Sequence, residues 1–198
     1  MPSLYIITGS NGAGKSTVGP KYLPDEILNS CEVFDGDLLF VKKRNEYFPS
    51  ITKSPKEARR IAWEFVSDKF DRLVKDALFT KSDFVYEGHF TNDATWEVPK
   101  KFKAAGFEIN LIFFGLATID LSQLRVTDRV SEGGHYVDRM TIENNFIGNL
   151  EKLNKNFRLI EHVLLLSIAN QQVIYCIAQH LLPSWFKKYL PEIVKIIP

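Results

Sequence analysis

Short apolar runs alternate with stretches of helical period along most of the chain. Residues 4–8 (Leu-Tyr-Ile-Ile-Thr) form a β-rich run that stops at Gly9, the pattern of a buried strand. A glycine-rich turn follows, and a helix is predicted from Lys15-Ser16-Thr17, short or kinked because Gly19-Pro20 interrupts it. Residues 31–34 read as a second strand, followed by Asp35-Gly36-Asp37 and a helical stretch to about Arg44. After a loop over 45–53, Ser54, Pro55 and Glu57 make a capping box with proline in the first helical position. Ile61, Phe65, Val66, Phe70, Leu73, Val74, Ala77 and Leu78 then keep a 3.6 period to about Thr80. Trp63, Phe65 and Phe70 are read as core.

A third strand is predicted over 84–86, ending in Glu87-Gly88. A helix over about 93–105 stops at Gly106, and a fourth strand covers 108–114. A helix over 119–130 ends in Ser131-Glu132-Gly133-Gly134-His135, read as a mobile loop, and Asp138 caps a further helix to about Ile160. Residues 163–168 and 173–178 read as strands around Asn170-Gln171, and a helical tail starts near Pro183. This order predicts an α/β fold: a doubly wound, mainly parallel sheet of about five strands with helices on both faces. No repeat or linker divides it, so one domain is expected over 1–198, with a phosphate loop at 9–17, a lid near 131–138 and a tail near 183–198.

Composition narrows the function. The chain has 198 residues, 45% hydrophobic and 25% charged, which excludes whole-chain disorder. A net charge of +1 argues against a dedicated nucleic-acid or anionic-membrane binder, so neither partner is expected. Cys31 and Cys176 lie far apart in apolar runs without metal-ligand spacing, as buried thiols in a reducing compartment would. With no basic leader and no apolar run of membrane-spanning length, the reading is a soluble cytoplasmic protein.

The chemistry begins at residues 9–16, Gly-Ser-Asn-Gly-Ala-Gly-Lys-Ser, which match GxxxxGK[ST] between a predicted strand and a predicted helix. The loop spacing lets successive N–H groups of Gly9, Asn11, Gly12, Ala13 and Gly14 face one anion at a helix N-terminus. Lys15 would bridge the β- and γ-phosphates of ATP, the Ser16 hydroxyl would ligate Mg²⁺, and Thr17 would contact the α-phosphate. Three classes share such a loop. The transporter ATPases need a Leu-Ser-Gly-Gly-Gln signature and an Asp-Glu pair closing a strand, and the GTPases need Asn-Lys-x-Asp; the sequence carries none of these. A small-molecule kinase needs a base, an acceptor-binding loop and a basic lid.

All three can be placed. Asp35 and Asp37 follow the second strand, at the carboxyl edge of a doubly wound sheet beside the phosphate loop. Asp37 is assigned as general base for an acceptor hydroxyl and Asp35 as a turn former or supporting group on the substrate side; the alternative for both is a solvated turn. Glu87 is either a solvated strand tip, a hydrogen-bond acceptor for the acceptor molecule or an outer-shell Mg²⁺ partner. His89 is by default a surface histidine and otherwise substrate-binding. Arg125 and Arg129, four apart on one helix face, are the lid cations, with a solvated face paired to Asp128 and Glu132 as the alternative; Arg139 follows the hinge and is assigned to the substrate side. Asn170-Gln171 is placed facing the adenine by topology.

These pieces, in this order, resemble the zeta-toxin family of P-loop kinases, in particular its compact stand-alone branch. Residues 2–17 look like its first strand and phosphate loop. Val33-Phe34-Asp35-Gly36-Asp37 looks like its second-strand motif, whose last aspartate is the family's base. Tyr86-Glu87-Gly88-His89-Phe90-Thr91 resembles its acceptor-binding segment, and residues 124–130 with Gly133-Gly134-His135 resemble its lid. The resemblance implies Mg²⁺- and ATP-dependent phosphorylation of a small acceptor. It names a uridine-diphosphate amino sugar as that acceptor, Glu87, Thr91 and His135 as substrate-side residues, and an antitoxin that blocks the nucleotide site as a partner. Three departures stand out: Gly19-Pro20 disrupts the first helix more than the family pattern does, Glu143-Asn144-Asn145-Phe146 occupies a stretch where the family usually carries arginines, leaving only Arg139 nearby, and His89 stands where a small polar residue is more usual. The tail from about Leu181 falls outside the resemblance. A kinase for another small molecule or nucleotide, or a nucleotide-binding regulatory module with weak ATPase activity, are the alternative readings.

Overall fold

The structure, a computed structural model, describes residues 1–131, 136–169, 172–175 and 184–195. Its first element is β1 (Ser3–Gly9), seven residues whose side chains are nearly all buried. It leads through the phosphate loop into α1 (Lys15–Val18), which passes into a 3₁₀ turn over Gly19–Tyr22 where Pro20 removes a backbone donor. A helix missing from the sequence expectation follows, α2 (Asp25–Ser30). Its signals were present: Pro24 at the N-cap and Asp25 and Glu26 in the first turn, where carboxylates favour the helix dipole.

That helix shortens the second strand. Cys31 closes α2 by donating its N–H to the Ile27 carbonyl at 2.9 Å, so residues 31–33 are not part of the sheet and β2 is Phe34–Asp35 alone. Then come α3 (Gly36–Tyr47) and α4 (Pro55–Thr80), the latter capped by Ser54 as its sequence predicts. β3 is Phe84–Glu87. The expected helix over 93–105 begins as a 3₁₀ turn and becomes α5 (Glu97–Ala104), with Pro99 in its first turn where a missing N–H costs nothing. β4 (Glu108–Gly115) precedes α6 (Ile119–Ser131), and α7 (Arg139–Asn156) ends in a 3₁₀ turn, short of the expected Ile160. β5 (His162–Ala169) and β6 (Gln172–Tyr175) complete the sheet, and α8 (Ser184–Tyr189) and α9 (Pro191–Val194) form the described tail.

The strand order is β2-β3-β1-β4-β5-β6; the first five run parallel and β6 is antiparallel to β5. Helices cover both faces. Ile7 of β1 meets Gly19 at the end of α1, whereas the next residue, Thr8, bonds to Asn149 of α7, and neighbouring strand residues point to opposite faces. The main core joins Ile6, Ile7, Val85, Ile109, Phe113 and Phe114 to the inner faces of the helices. A smaller cluster, Phe40, Ala62 and Val66, holds α3 on α4. Trp63 departs from its expected place in the core: it is half exposed and stacks on Phe40 at 4.2 Å between centroids. Among the described residues no helix is long and apolar enough to cross a membrane.

The tail is built into the core. Trp185, Phe186, Leu190 and Ile193 are buried, and the Trp185 indole lies against Gly115 so closely that a side chain there would overlap it. Trp185 therefore seals the end of β4 next to the phosphate loop. Trp185→Ala is expected to lower the unfolding free energy by about 3 kcal/mol in urea titration, the usual cost of emptying a large aromatic site.

Candidate active site

The phosphate loop takes its shape from contact with β4. Gly9 has φ +134°, and a β-carbon there would run into the Phe114 carbonyl, so glycine is required. The Ser10 N–H donates to that same carbonyl at 2.9 Å. Gly12, at φ +71°, rests on α6, where a β-carbon would come 2.8 Å from that of Arg125. Ala13 is buried, and the Gly14 carbonyl accepts from the N–H groups of Thr17 and Val18, closing the first turn of α1. Ser16 and Thr17 are exposed on that turn.

Lys15 folds back under the loop. The residue is only 7% exposed, and its ammonium donates to the Gly9 and Ser10 carbonyls at 3.2 and 3.0 Å. Burial lowers its pKa, and the charges of Glu87 and Asp37 oppose that shift. Arg129 of α6 is close enough to depress the ammonium further. The carboxyl tips of β1, β2 and β3 thus bring Lys15, Asp35, Asp37 and Glu87 into one electrostatic neighbourhood.

Each carboxylate has a distinct setting. Asp35 pairs in register with Glu87 across β2 and β3, and its Oδ1 accepts from the Leu38 N–H at 2.9 Å, capping α3. Asp37 stands in the first turn of α3 and acts electrostatically on both Lys15 and Glu87. Glu87 accepts from the Ser16 hydroxyl at 3.0 Å. Its pKa is pushed up to about 7, chiefly by burial, with Asp35 and Asp37 adding to the rise and Lys15 and Ser16 opposing it.

The segment after β3 is packed inward. Gly88 N–H donates to the Ile7 carbonyl, and Thr91 lies against Gly148 of α7. His89, by default a surface residue from sequence, is half-buried between Asn11 and Asn149, and desolvation with the Lys15 charge holds its pKa well below the usual histidine value. Arg125 is half-buried beside Gly12. Arg139 stands apart: it is exposed and pairs with Glu143 at 2.8 Å and Asp120 at 3.6 Å. Gly133, Gly134 and His135 of the expected lid, Asn170-Gln171 and Cys176 lie outside the described residues. A cleft of about 850 Å³ flanks β2, but of the site residues it includes Asp35 alone and none of Lys15, Ser16, Asp37 or Glu87.

Among the described residues no group of three His, Cys, Asp or Glu side chains forms a metal cage. One hydroxyl, Ser16, with a carboxylate behind it fits Mg²⁺ of the kind held mainly by nucleotide phosphates and water.

The zeta toxin family profile matches residues 1–179. The chain belongs to the zeta-toxin family. No curated protein sequence matches it significantly. Among solved structures, a component of the PezAT chromosomal toxin–antitoxin system of Streptococcus pneumoniae superposes with TM-score 0.59 at 20% identity, covering 88% of this chain and 71% of that one. A chain from the AvrRxo1-ORF1:-ORF2 structure with ATP gives 0.65 at 14% identity, over 88% of this chain and 57% of that one. A putative kinase from Chloroflexus aurantiacus gives 0.51 at 16%, over 84% and 85%. At these identities the likenesses establish the fold, that of the P-loop kinases. The zeta-toxin match ends before α8, so the helix that seals β4 lies outside the matched residues.

Sequence reading missed Asn145, Asn149 and Ser122 in this family member. Ser122 Oγ donates to the Asn11 carbonyl at 2.7 Å, and both asparagines meet the loop from α7. The signal was there: Asn145 and Asn149 share the helix face of Ile142, Phe146 and Leu153, where polar side chains need internal partners.

Glu87 gives the site a testable pH dependence. A folded carboxyl with pKa near 7 keeps a proton that the unfolded one, near 4.5, has lost, so its contribution to stability falls as pH rises between those values. Glu87→Gln removes this loss. Relative to wild type it should gain about 2 kcal/mol between pH 5 and pH 8 in urea titrations.

Proposed function

We propose that the protein is an ATP-dependent phosphotransferase that moves the γ-phosphoryl group to a hydroxyl of a small acceptor, a uridine-diphosphate N-acetyl amino sugar. The observation that carries this reading is the meeting of a buried Lys15 with Asp37 and Glu87 at adjoining strand tips, on a zeta-toxin fold. A phosphate loop with a carboxylate pair beside it suits transfer to an alcohol.

Lys15 and the loop N–H groups hold the β- and γ-phosphates, and Ser16 offers its hydroxyl to Mg²⁺. Bound there, Mg²⁺ neutralises charge that develops on the phosphate oxygens. Asp37 takes the proton of the acceptor hydroxyl. The acceptor oxygen bonds to the γ-phosphorus as the bond to the β–γ bridging oxygen breaks, and ADP leaves. Arg129, already within electrostatic reach of Lys15, and Arg125 beside it on α6 stabilise the transferring group. Glu87 and the 88–91 segment form the acceptor side, with Asp35 fixing the start of α3.

The whole chain acts as one catalytic unit in the cytoplasm, and an antitoxin protein that covers the nucleotide site is its partner. That the similar PezAT structure belongs to a toxin–antitoxin system and the similar AvrRxo1-ORF1 structure to a two-protein complex supports such a partner.

The deciding experiment is ³¹P NMR of the protein with ATP, Mg²⁺ and a pool of sugar nucleotides. A new phosphomonoester on a uridine-diphosphate amino sugar is expected. Asp37→Asn should lower kcat by at least about 100-fold with the KM for ATP little changed. Lys15→Ala should abolish measurable ATP binding. Free phosphate without a new ester would replace the kinase with an ATPase, and ATP binding without turnover would favour a regulatory nucleotide-binding module.

A further inference from the structure

Asn11, in the variable part of the phosphate loop, is held from three sides. Its carbonyl accepts from Ser122 Oγ of α6 at 2.7 Å. Its Oδ1 lies 2.9 Å from Asn145 Nδ2 of α7, and its Nδ2 lies 3.4 Å from His89 Nε2 in the segment after β3. The chain continues inward. His89 Nδ1 is 3.0 Å from Asn149 Nδ2, and that nitrogen also donates to the Asn145 carbonyl at 2.7 Å and reaches the Gly9 carbonyl at 3.3 Å. Asn149 Oδ1 accepts from the Phe90 N–H at 2.6 Å and the Thr8 hydroxyl at 3.4 Å.

The chemistry gives the chain a direction. Asn149 Oδ1 is committed to Phe90, so Nδ2 faces the imidazole and donates, and the neutral His89 ring carries its proton on Nε2, toward Asn11. Turning the Asn11 and Asn145 carboxamides end for end preserves every heavy-atom distance and completes the relay: Asn149 to His89, His89 to Asn11, Asn11 to Asn145. Asn149 is 1% exposed and Asn11 8% exposed. A wholly apolar filling would meet no desolvation cost here, whereas a fully bonded polar network fixes one geometry.

We propose that His89, Asn145 and Asn149 are positioning residues that set the phosphate loop's affinity for ATP and tie it to the 88–91 acceptor segment. This inference rests on the proposed ATP site. None of the three belongs to the GxxxxGK[ST] loop; they act through Asn11 and Gly9. The same Asn149 fixes Phe90, so the loop that holds phosphate and the segment on the acceptor side share one anchor.

The test is the Kd of N-methylanthraniloyl-ATP with Mg²⁺, measured by fluorescence beside thermal melts. Asn145→Ala leaves one end of the Asn11 side chain unpaired but puts the best helix former at a half-buried position, so the two effects partly offset and its melting temperature should fall only slightly. Its Kd should nevertheless rise about fivefold, the scale of one lost hydrogen bond. His89→Leu should raise Kd about tenfold, and His89→Gln, whose amide reaches the position of Nε2, should stay within about threefold of wild type. A merely structural network would shift melting and leave Kd alone. Wild-type Kd in Asn145→Ala and in a folded His89→Leu overturns the inference, and if His89→Leu does not fold, Asn145→Ala decides alone. A wild-type protein that binds no nucleotide overturns the proposed function itself, an outcome that reads differently from unchanged variants.

Discussion

The site is organised around a buried cation. Lys15 has given up nearly all its contact with water, and an ammonium in that position must be met by oxygen atoms on several sides. Two of them are carbonyls of its own loop, which face inward because Gly9 adopts a backbone conformation that other residues rarely reach. The others are more distant charges, Glu87 and Asp37, supplied by the tips of β3 and the start of α3. The same burial that strains Lys15 raises the pKa of Glu87, and each group moderates the shift of the other. The parallel order β2-β3-β1 is therefore an electrostatic arrangement as well as a packing one: it lets three strands end at one place with opposite charges.

The two sides of the proposed reaction differ in how firmly they are held. The phosphate loop rests on β4, on α6 through Ser122 and Gly12, and on α7 through Asn145 and Asn149. These elements belong to the main core or line it. Asp37 rides on α3, whose buried contacts belong to the separate cluster of Phe40, Ala62 and Val66 on α4. Phe34 links the two, packing against both clusters and lying 5.1 Å from Phe70. β2 adds only two register pairs with β3.

The sequence made the first half of this legible for physical reasons. A phosphate loop needs particular residues at fixed spacing, so residues 9–16 announce themselves, and the placement of Asp37 and Glu87 near it follows because a doubly wound sheet brings those strand ends beside the loop. The capping box at Ser54 likewise predicts α4, and the structure contains its bond. What stayed hidden depends on tertiary contact. Whether Cys31 begins a strand or closes a helix turns on α2, and whether His89 is on the surface or inside turns on where α7 packs. Trp63 shows the limit of periodicity alone: its spacing suits the buried face, yet it covers Phe40 from outside.

The asparagines of α7 deserve the opposite treatment from a polar residue on a solvated face. At 145 and 149 they fall one turn apart among Ile142, Phe146 and Leu153, and a helix that buries its stripe must give each such carboxamide bonding partners or leave it a desolvation cost of about 1–3 kcal/mol. Carbonyls and amides of the phosphate loop and the 88–91 segment are available, because irregular backbone at strand ends has bonds that no ladder satisfies. Asn149 takes the Phe90 N–H and approaches the Gly9 carbonyl, while Asn145 takes the side chain of Asn11. The helix therefore needs the loops to be satisfied, and the loops need the helix to be held. A long arginine at either position would reach past these backbone groups, whereas the short, two-ended carboxamide both donates and accepts. Under the proposed function, control over the shape of the phosphate loop would take the place, at that turn of α7, of the arginine charge that the family resemblance leads one to expect there.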